Sequence, residues 1–397
     1  MQAAQKWIFW QVVPSPHLAP FFRELARKLG SSGVVHCVFE RPVPQERLDL
    51  GWALPDYGDA LVVIQPEPAE VEALLDARDS RTHHFFSGLV MSRWLRDCYK
   101  HASSNPGVCG IITESRDNRG LKGLLRGLHS QVIERSWRAS SSMVFAMGGQ
   151  GVSWLAAIGY SPTILFPFAY VVDLPTRTMP HTGKRDCVKF VFVGKLEPRK
   201  NVGLLLKTFL GKDFEQCELV IVGDGPDRRV LEKRVADSPW ATRVQFSGAL
   251  PNESVRTVLC NADCLVLPSH YDGWGAVVNE ALMAGTRVIV SDRCGAADVV
   301  EKGYNGFVFK AGDLRSLLSA MLRILDMGVI DPATRQELVA SAEVLSPSLL
   351  ADYFLDVVRY VEDGQEGPRP QPPWRNRQGR HASALMAPLD KRLATDS

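Results

Sequence analysis

Several features are missing from this 397-residue chain, and each absence removes a class of function. No uninterrupted apolar run approaches the roughly 20 residues of a membrane-spanning helix. The run from Trp7 to Val13, behind Lys6, is too short for the core of a secretory signal with its cleavage site, so a cytoplasmic chain is expected. The eight cysteines, at 37, 98, 109, 187, 217, 260, 264 and 294, include no Cys-x-x-Cys pair, which gives zinc no ligand spacing and suits a reducing compartment. A formal net charge of +2 lacks the excess of a dedicated nucleic-acid binder. No Gly-x-Gly-x-x-Gly follows the first apolar stretch, which argues against a dehydrogenase. Internal sequence repeats are absent.

What is present is the composition of a globular protein, 45% hydrophobic and 23% charged with a mean hydropathy of −0.07, on a chain long enough for two separate cores. Short apolar runs alternate with helical patterns along both halves, which predicts an α/β protein with mainly parallel, doubly wound sheets. The first half carries strand candidates at 7–13, 34–39, 60–65, 82–87, 110–113, 143–147 and 163–167, and residues 1–168 form the expected first domain. Prolines 175 and 180 and Gly183 mark residues 169–186 as a linker, followed by a second domain over 187–345. Ser346 and Pro347 open a helix, 346–362, with apolar residues at 349, 350, 353, 354, 357, 358 and 361. Beyond it, 363–397 is rich in Pro, Arg and Gln and is expected to be a disordered tail.

Chemistry concentrates between Cys264 and Gly285. An apolar strand ends at Pro268, a polar loop runs through Asp272, Gly273, Trp274 and Gly275, and Ala276, Val277 and Val278 begin a helix that carries Glu280. Strand, glycine loop and helix start aim free N–H groups at an anion. Acids beside an anion site fit a ligand that also bears hydroxyls, as a sugar nucleotide does. An ordinary strand-to-helix corner with surface acids has the same spacing.

The segment resembles the donor-site signature of retaining GT-B glycosyltransferases of family 4 (glycosyl transferases group 1): Pro-Ser, an acid, Gly-aromatic-Gly, and a Glu eight positions after the acid. The first acid here is Asp272 where the family usually has Glu. Gly194, Lys195 and Lys200 match the family's Gly-Arg and its Lys six positions after the Gly, with Lys in place of Arg. The resemblance extends to the glycine loops at Gly223 and Gly225 and at Gly248, Ala249 and Leu250, in order and at family spacing. It implies two Rossmann-like domains facing a cleft, the 346–362 helix crossing back onto the first domain, and a nucleoside-diphosphate sugar, UDP- or GDP-linked, as co-substrate. It further implies that Lys195, Lys200, Asp272 and Glu280 serve the donor, with no other cofactor. No Asp-x-Asp is present to hold a metal-bound diphosphate, so metal-independent transfer with retention is expected.

On the acceptor side, Ser15 and His17 stand in a first loop that lacks the family's Gly-Gly. His83 and His84 are candidates at what reads as a strand tip, and Glu114 follows the fifth strand. Residues 91–139 hold nine Lys and Arg against four Asp and Glu, with Arg116, Arg119, Lys122 and Arg126 at helical spacing. Such a face suits an anionic membrane surface or is simply solvated. The expected acceptor is a saccharide or lipid-linked saccharide, at the inner face of a plasma membrane. A sugar-nucleotide 2-epimerase and a degenerate regulatory subunit remain as alternatives.

Overall fold

The computed structural model describes residues 4–48, 53–76, 79–173 and 186–377. Seven strands build the first sheet: β1 (Gln5–Gln11), β2 (Gly33–Phe39), β3 (Leu61–Ile64), β4 (Thr82–Ser87), β5 (Cys109–Thr113), β6 (Met143–Met147) and β7 (Leu165–Phe168). All pairings are parallel, in the order β3-β2-β1-β4-β5-β6-β7. Six strands build the second: β8 (Lys189–Val193), β9 (Glu218–Val222), β10 (Val244–Gly248), β11 (Cys264–Leu267), β12 (Arg287–Ser291) and β13 (Gly306–Phe309), again all parallel, in the order β10-β9-β8-β11-β12-β13. Helices cover both faces of each sheet, so central strands such as β6 and β11 are apolar and buried throughout rather than alternating. In each sheet the chain reverses direction at one point, between β1 and β4 and between β8 and β11. The carboxyl ends at such points are where open α/β sheets bind ligands.

The two sheets share one continuous core. It runs from Phe9 and Phe85 into Phe190, Val266 and Val278, while Ile8, Trp10, Phe86 and Val144 pack separately on the other face of the first sheet. Helix Pro347–Glu362 ties the halves together, since Phe354 lies among rings of the first domain, 4.7 Å from Phe145, 4.9 Å from Phe85 and 5.1 Å from Phe21. Ser346 caps the helix by accepting from Leu349 N–H, and Asp352 pairs with Lys28 at 2.8 Å. Together with helix Pro332–Ser341 it forms a stretch long and apolar enough to cross a membrane by composition, but Leu350, Phe354, Val357 and Val358 are core residues.

Two sequence expectations change here. The segment read as the start of a disordered tail is ordered to Arg377: Arg369 lies over the Phe166 ring at 4.3 Å and donates to the carbonyls of Pro162, Thr163 and Leu165, and Trp374 is buried 6.3 Å from Trp274. A compositional reading misses this because the partners lie far away in the chain. Most of the expected linker, 174–185, and the remaining tail, 378–397, lie outside the described residues. The described start of that linker is not loose either, since Ala169, Val171 and Val172 are buried.

Candidate functional site at the domain cleft

At the carboxyl edge of the second sheet, four loops lie side by side. Gly194 N–H donates to Val222 C=O at 3.0 Å, Gly223 N–H to Gly248 C=O at 2.7 Å, and Leu196 N–H to Asp224 C=O at 2.8 Å, so the loops after β8, β9 and β10 form one backbone wall. Gly225, exposed Ala249 and half-buried Leu250 continue it. The loop after β11 closes the other side. Gly275 sits at φ 89°, and a Cβ there would lie 2.7 Å from Cys294 Sγ, so both conformation and space require glycine.

A turn of 3₁₀ helix, Pro198–Lys200, throws two cations onto the β11 loop. Lys200 Nζ lies 2.5 Å from Asp272 Oδ2, and Arg199 Nη1 lies 3.6 Å from the same oxygen while donating to Tyr271 C=O at 3.1 Å. Ser269 Oγ approaches it at 3.5 Å. Lys195 is exposed, and its ammonium has no hydrogen-bond or ion-pair partner among the described residues. Arg199 escaped the sequence reading because, although it precedes Lys200 in the chain, only the tight turn directs both side chains to Asp272.

Glycine-loop amides face the same space. The helix expected from Ala276 begins at Val277 and ends at Met283. Val278 N–H turns back to Gly275 C=O at 2.9 Å, so it is not a free donor, whereas Ala276 and Val277 N–H have no acceptor among the described residues. Trp274 is buried and donates to Asn279 Oδ1 at 3.1 Å, and Asn279 donates across the cleft to Tyr170 C=O at 2.8 Å. The Glu280 carboxyl has no hydrogen-bond or ion-pair partner among the described residues. Desolvation raises its pKa, against a smaller opposing effect of the Arg256 charge.

The first domain reaches this loop from the opposite side. Glu114, at the carboxyl end of β5, accepts from Tyr170 O–H at 2.6 Å, and its other oxygen would lie 1.9 Å from a Cβ at position 273. Gly273 therefore has no side chain because Glu114 occupies its place. Desolvation raises the Glu114 pKa; the Tyr170 bond opposes this, and the Asp272 charge adds to it. Ser115 C=O accepts from Tyr271 O–H, and Asn118 accepts from Arg293 at 3.2 Å. Ser15 Oγ accepts from His17 N–H at 3.3 Å, and the His17 ring lies 5.9 Å from Tyr170. Desolvation, then the Arg47 charge, brings the His17 pKa down to about 4, so it is neutral at pH 7. Tyr170 and Tyr271 had no sequence signal; one stood in the presumed linker, the other inside the loop.

Glu114 thus lies against the second domain and His17, with Ser15 on its backbone N–H, lies beside Tyr170, whereas His83 and His84 are away from this cluster. Residues 82–87 are the whole of β4 rather than its tip, and His83 pairs in register with Trp7, several residues from the carboxyl edge. His84 Nδ1 accepts from Trp10 Nε1 at 3.1 Å, and His83 Nε2 lies 3.6 Å from Glu362 of the crossing helix. Burial brings both pKa values down to about 4. Both are core histidines. The expected basic face is also largely occupied: Arg116 pairs with Glu134, Arg119 with Asp117, and Arg126 donates to Asp117 C=O, which leaves Lys122 as the one of the four whose side chain has no partner among the described residues. Among the described residues no three His, Cys, Asp or Glu side chains converge as a metal site requires.

Residues 180–343 match the family model described as glycosyl transferases group 1. The chain is 34% identical over 123 residues to 2-deoxystreptamine glucosyltransferase of Streptomyces kanamyceticus, covering 31% of this chain and 30% of that protein. It spans about a third to a half of the length of the curated relatives it matches. Among solved structures, lipopolysaccharide outer core galactosyltransferase WaaB in its apo form aligns with a TM-score of 0.67 at 15% identity, over 91% of this chain and 99% of that one. Anabaena Alr3699/HepE in complex with UDP aligns with a TM-score of 0.66 at 13% identity, over 89% and 99%. These likenesses define a two-domain GT-B fold.

Proposed function

We propose that this chain, whose residues 180–343 match the glycosyl transferases group 1 model on a GT-B fold, belongs to that family and moves a hexose from a nucleoside-diphosphate sugar to a saccharide or lipid-linked saccharide, with retention and without a metal ion. The observation that carries this reading is the convergence of Lys200 and Arg199 on Asp272 beneath a glycine loop whose Ala276 and Val277 amides are unspent. A diphosphate entering there competes with Asp272 for Lys200, and Lys195 adds a second mobile cation. Glu280 is a bare acceptor suited to ribose hydroxyls, and Asp272, once Lys200 turns away, to a hexose hydroxyl. The UDP named in the related Anabaena structure is consistent with a UDP-sugar donor.

In this scheme the anomeric C–O bond breaks as the nucleoside diphosphate leaves, and its charge is met by Lys195, Lys200, Arg199 and the loop amides. Preorganised donors of this kind contribute about 3 to 4 kcal/mol each to transition-state stabilisation. The acceptor hydroxyl attacks from the face of the departing phosphate, whose oxygen takes its proton. Glu114 and His17, with Tyr170 between them, face the acceptor as hydrogen-bond acceptors. A role in polysaccharide biosynthesis at a cytoplasmic membrane face follows from the lipid-linked acceptor class. The test is incubation with a panel of UDP-, GDP- and dTDP-sugars and detection of the released nucleoside diphosphate, in chelator. No release from any of them, with binding retained, would favour a regulatory subunit. Epimerised sugar nucleotide instead of transfer would favour the 2-epimerase reading.

A further inference from the structure

Helix Gly120–Ile133 is mounted in reverse. A surface helix ordinarily buries its apolar stripe and exposes its polar side. Here Gly123 and Ser130 are the buried positions, while Leu121, Leu124, Leu125, Leu128 and Val132 are exposed, Leu121 by 79% and Val132 by 74%. At 100° per residue these five fall within about a 100° arc, so they form one ridge. Six of the fifteen exposed large apolar residues of the described chain, Ile133 included, lie on this one helix, so the patch is not scattered background.

Polar contacts hold the helix in this orientation. A Cβ at Gly123 would lie 2.0 Å from the Asn118 backbone, so glycine at that position permits the close seat. Buried Glu134 accepts from Arg116 and from Tyr160 O–H at 3.0 Å, and Arg126 is fixed on Asp117 C=O. With these arginines turned inward, the rim of the ridge carries exposed Lys122, His129 and Arg135. Between Arg119 and Ile133 there is no Asp or Glu.

We propose that this ridge is the seat of the protein on a lipid bilayer, its five aliphatic side chains entering the acyl boundary while Lys122 and Arg135 meet anionic headgroups. The charge pattern favours a bilayer over a second copy of the chain: pairing two ridges would press cationic rims together with no carboxylate to answer them. Contact is thus mainly apolar, unlike the electrostatic attachment expected from Arg116, Arg119 and Arg126. The helix follows the 114–118 segment that touches Gly273, Tyr271 and Arg293, so a seated ridge brings the mouth of the cleft to the membrane surface. The inference deepens the lipid-linked acceptor reading and rests on it for its sense, but its test needs no donor.

The full chain without nucleotide is sedimented with phosphatidylcholine vesicles with and without about 30% phosphatidylglycerol. Comparison is with a triple variant, Leu121→Gln, Leu125→Gln and Val132→Gln, at exposed positions, whose fold is checked by circular dichroism and melting. The wild type should bind the anionic vesicles at least about tenfold more tightly than the variant, or about 1.4 kcal/mol. Raising salt should leave residual binding in the wild type only, and Lys122→Glu should reduce the preference for anionic lipid. Equal binding by wild type and variant, no vesicle binding, or a wild-type dimer that the variant loses in sedimentation velocity would overturn the proposal. Nucleotide release from a soluble donor is measured on both proteins, so failure of transfer and failure of docking are separate results.

Discussion

The two domains repeat one architecture but spend their loops differently. In the second domain the site is built on a backbone frame: the loops at Gly194, Gly223 and Gly248 lie side by side through hydrogen bonds, Ala276 and Val277 present bare amides, and Lys200, Arg199 and Asp272 converge on that frame. In the first domain it is made of side chains carried in by the fold, with Glu114, Tyr170 and His17 arriving from three separate segments. Backbone sites demand glycine at fixed intervals and so leave a pattern in the sequence; side-chain sites demand only position. The match to the family model, residues 180–343, covers most of the second domain.

Four experiments sharpen or break that contrast, from the largest expected effect down. Phe354→Ala removes a ring of the second half from the core of the first, and should cost about 3 to 5 kcal/mol by urea denaturation. A loss under 1 kcal/mol would mean the crossing helix is not a structural tie between the domains. Lys200→Ala should lower kcat/KM about 100-fold, close to 3 kcal/mol, in initial-rate assays across donor concentrations. Full activity in this variant would break the charge account of the backbone-built half.

Glu280→Gln should weaken nucleotide-sugar affinity about tenfold by titration calorimetry. The same variant has a pH signature. Because the folded-state pKa of Glu280 is raised by desolvation, its contribution is neutral in acid and turns unfavourable as pH rises from the ordinary carboxyl value through the folded one. The melting temperature of Glu280→Gln should therefore gain on the wild type as pH increases from about 4 to 7. A gap that is constant with pH would show that the carboxyl is not desolvated. The smallest expected effect is on transfer in His84→Gln, which loses the Trp10 bond and some stability but leaves kcat/KM within about twofold, because the residue lies away from the cleft. A selective loss of acceptor turnover would return His84 to the site.

The sequence by itself determined the β/α alternation of both halves, the order of the glycine loops, and the spacing that places Asp272 and Glu280 on either side of a helix start. Each of these is local, because glycine, apolar period and cap act over a few residues. Only the tertiary structure decided which side of the strand the histidines occupy. The apolar run around His83 and His84 looks the same from either end, and register with Trp7 puts it inside. Tertiary contacts likewise decided that Trp374 and Arg369 are anchored, that Arg199 joins Lys200 on Asp272, and that the Glu114 carboxylate fills the space Gly273 leaves empty. Arg116 and Arg126 read as a basic surface until Glu134 and the Asp117 carbonyl, brought within reach by the fold, took them inward and left the leucines to face the solvent.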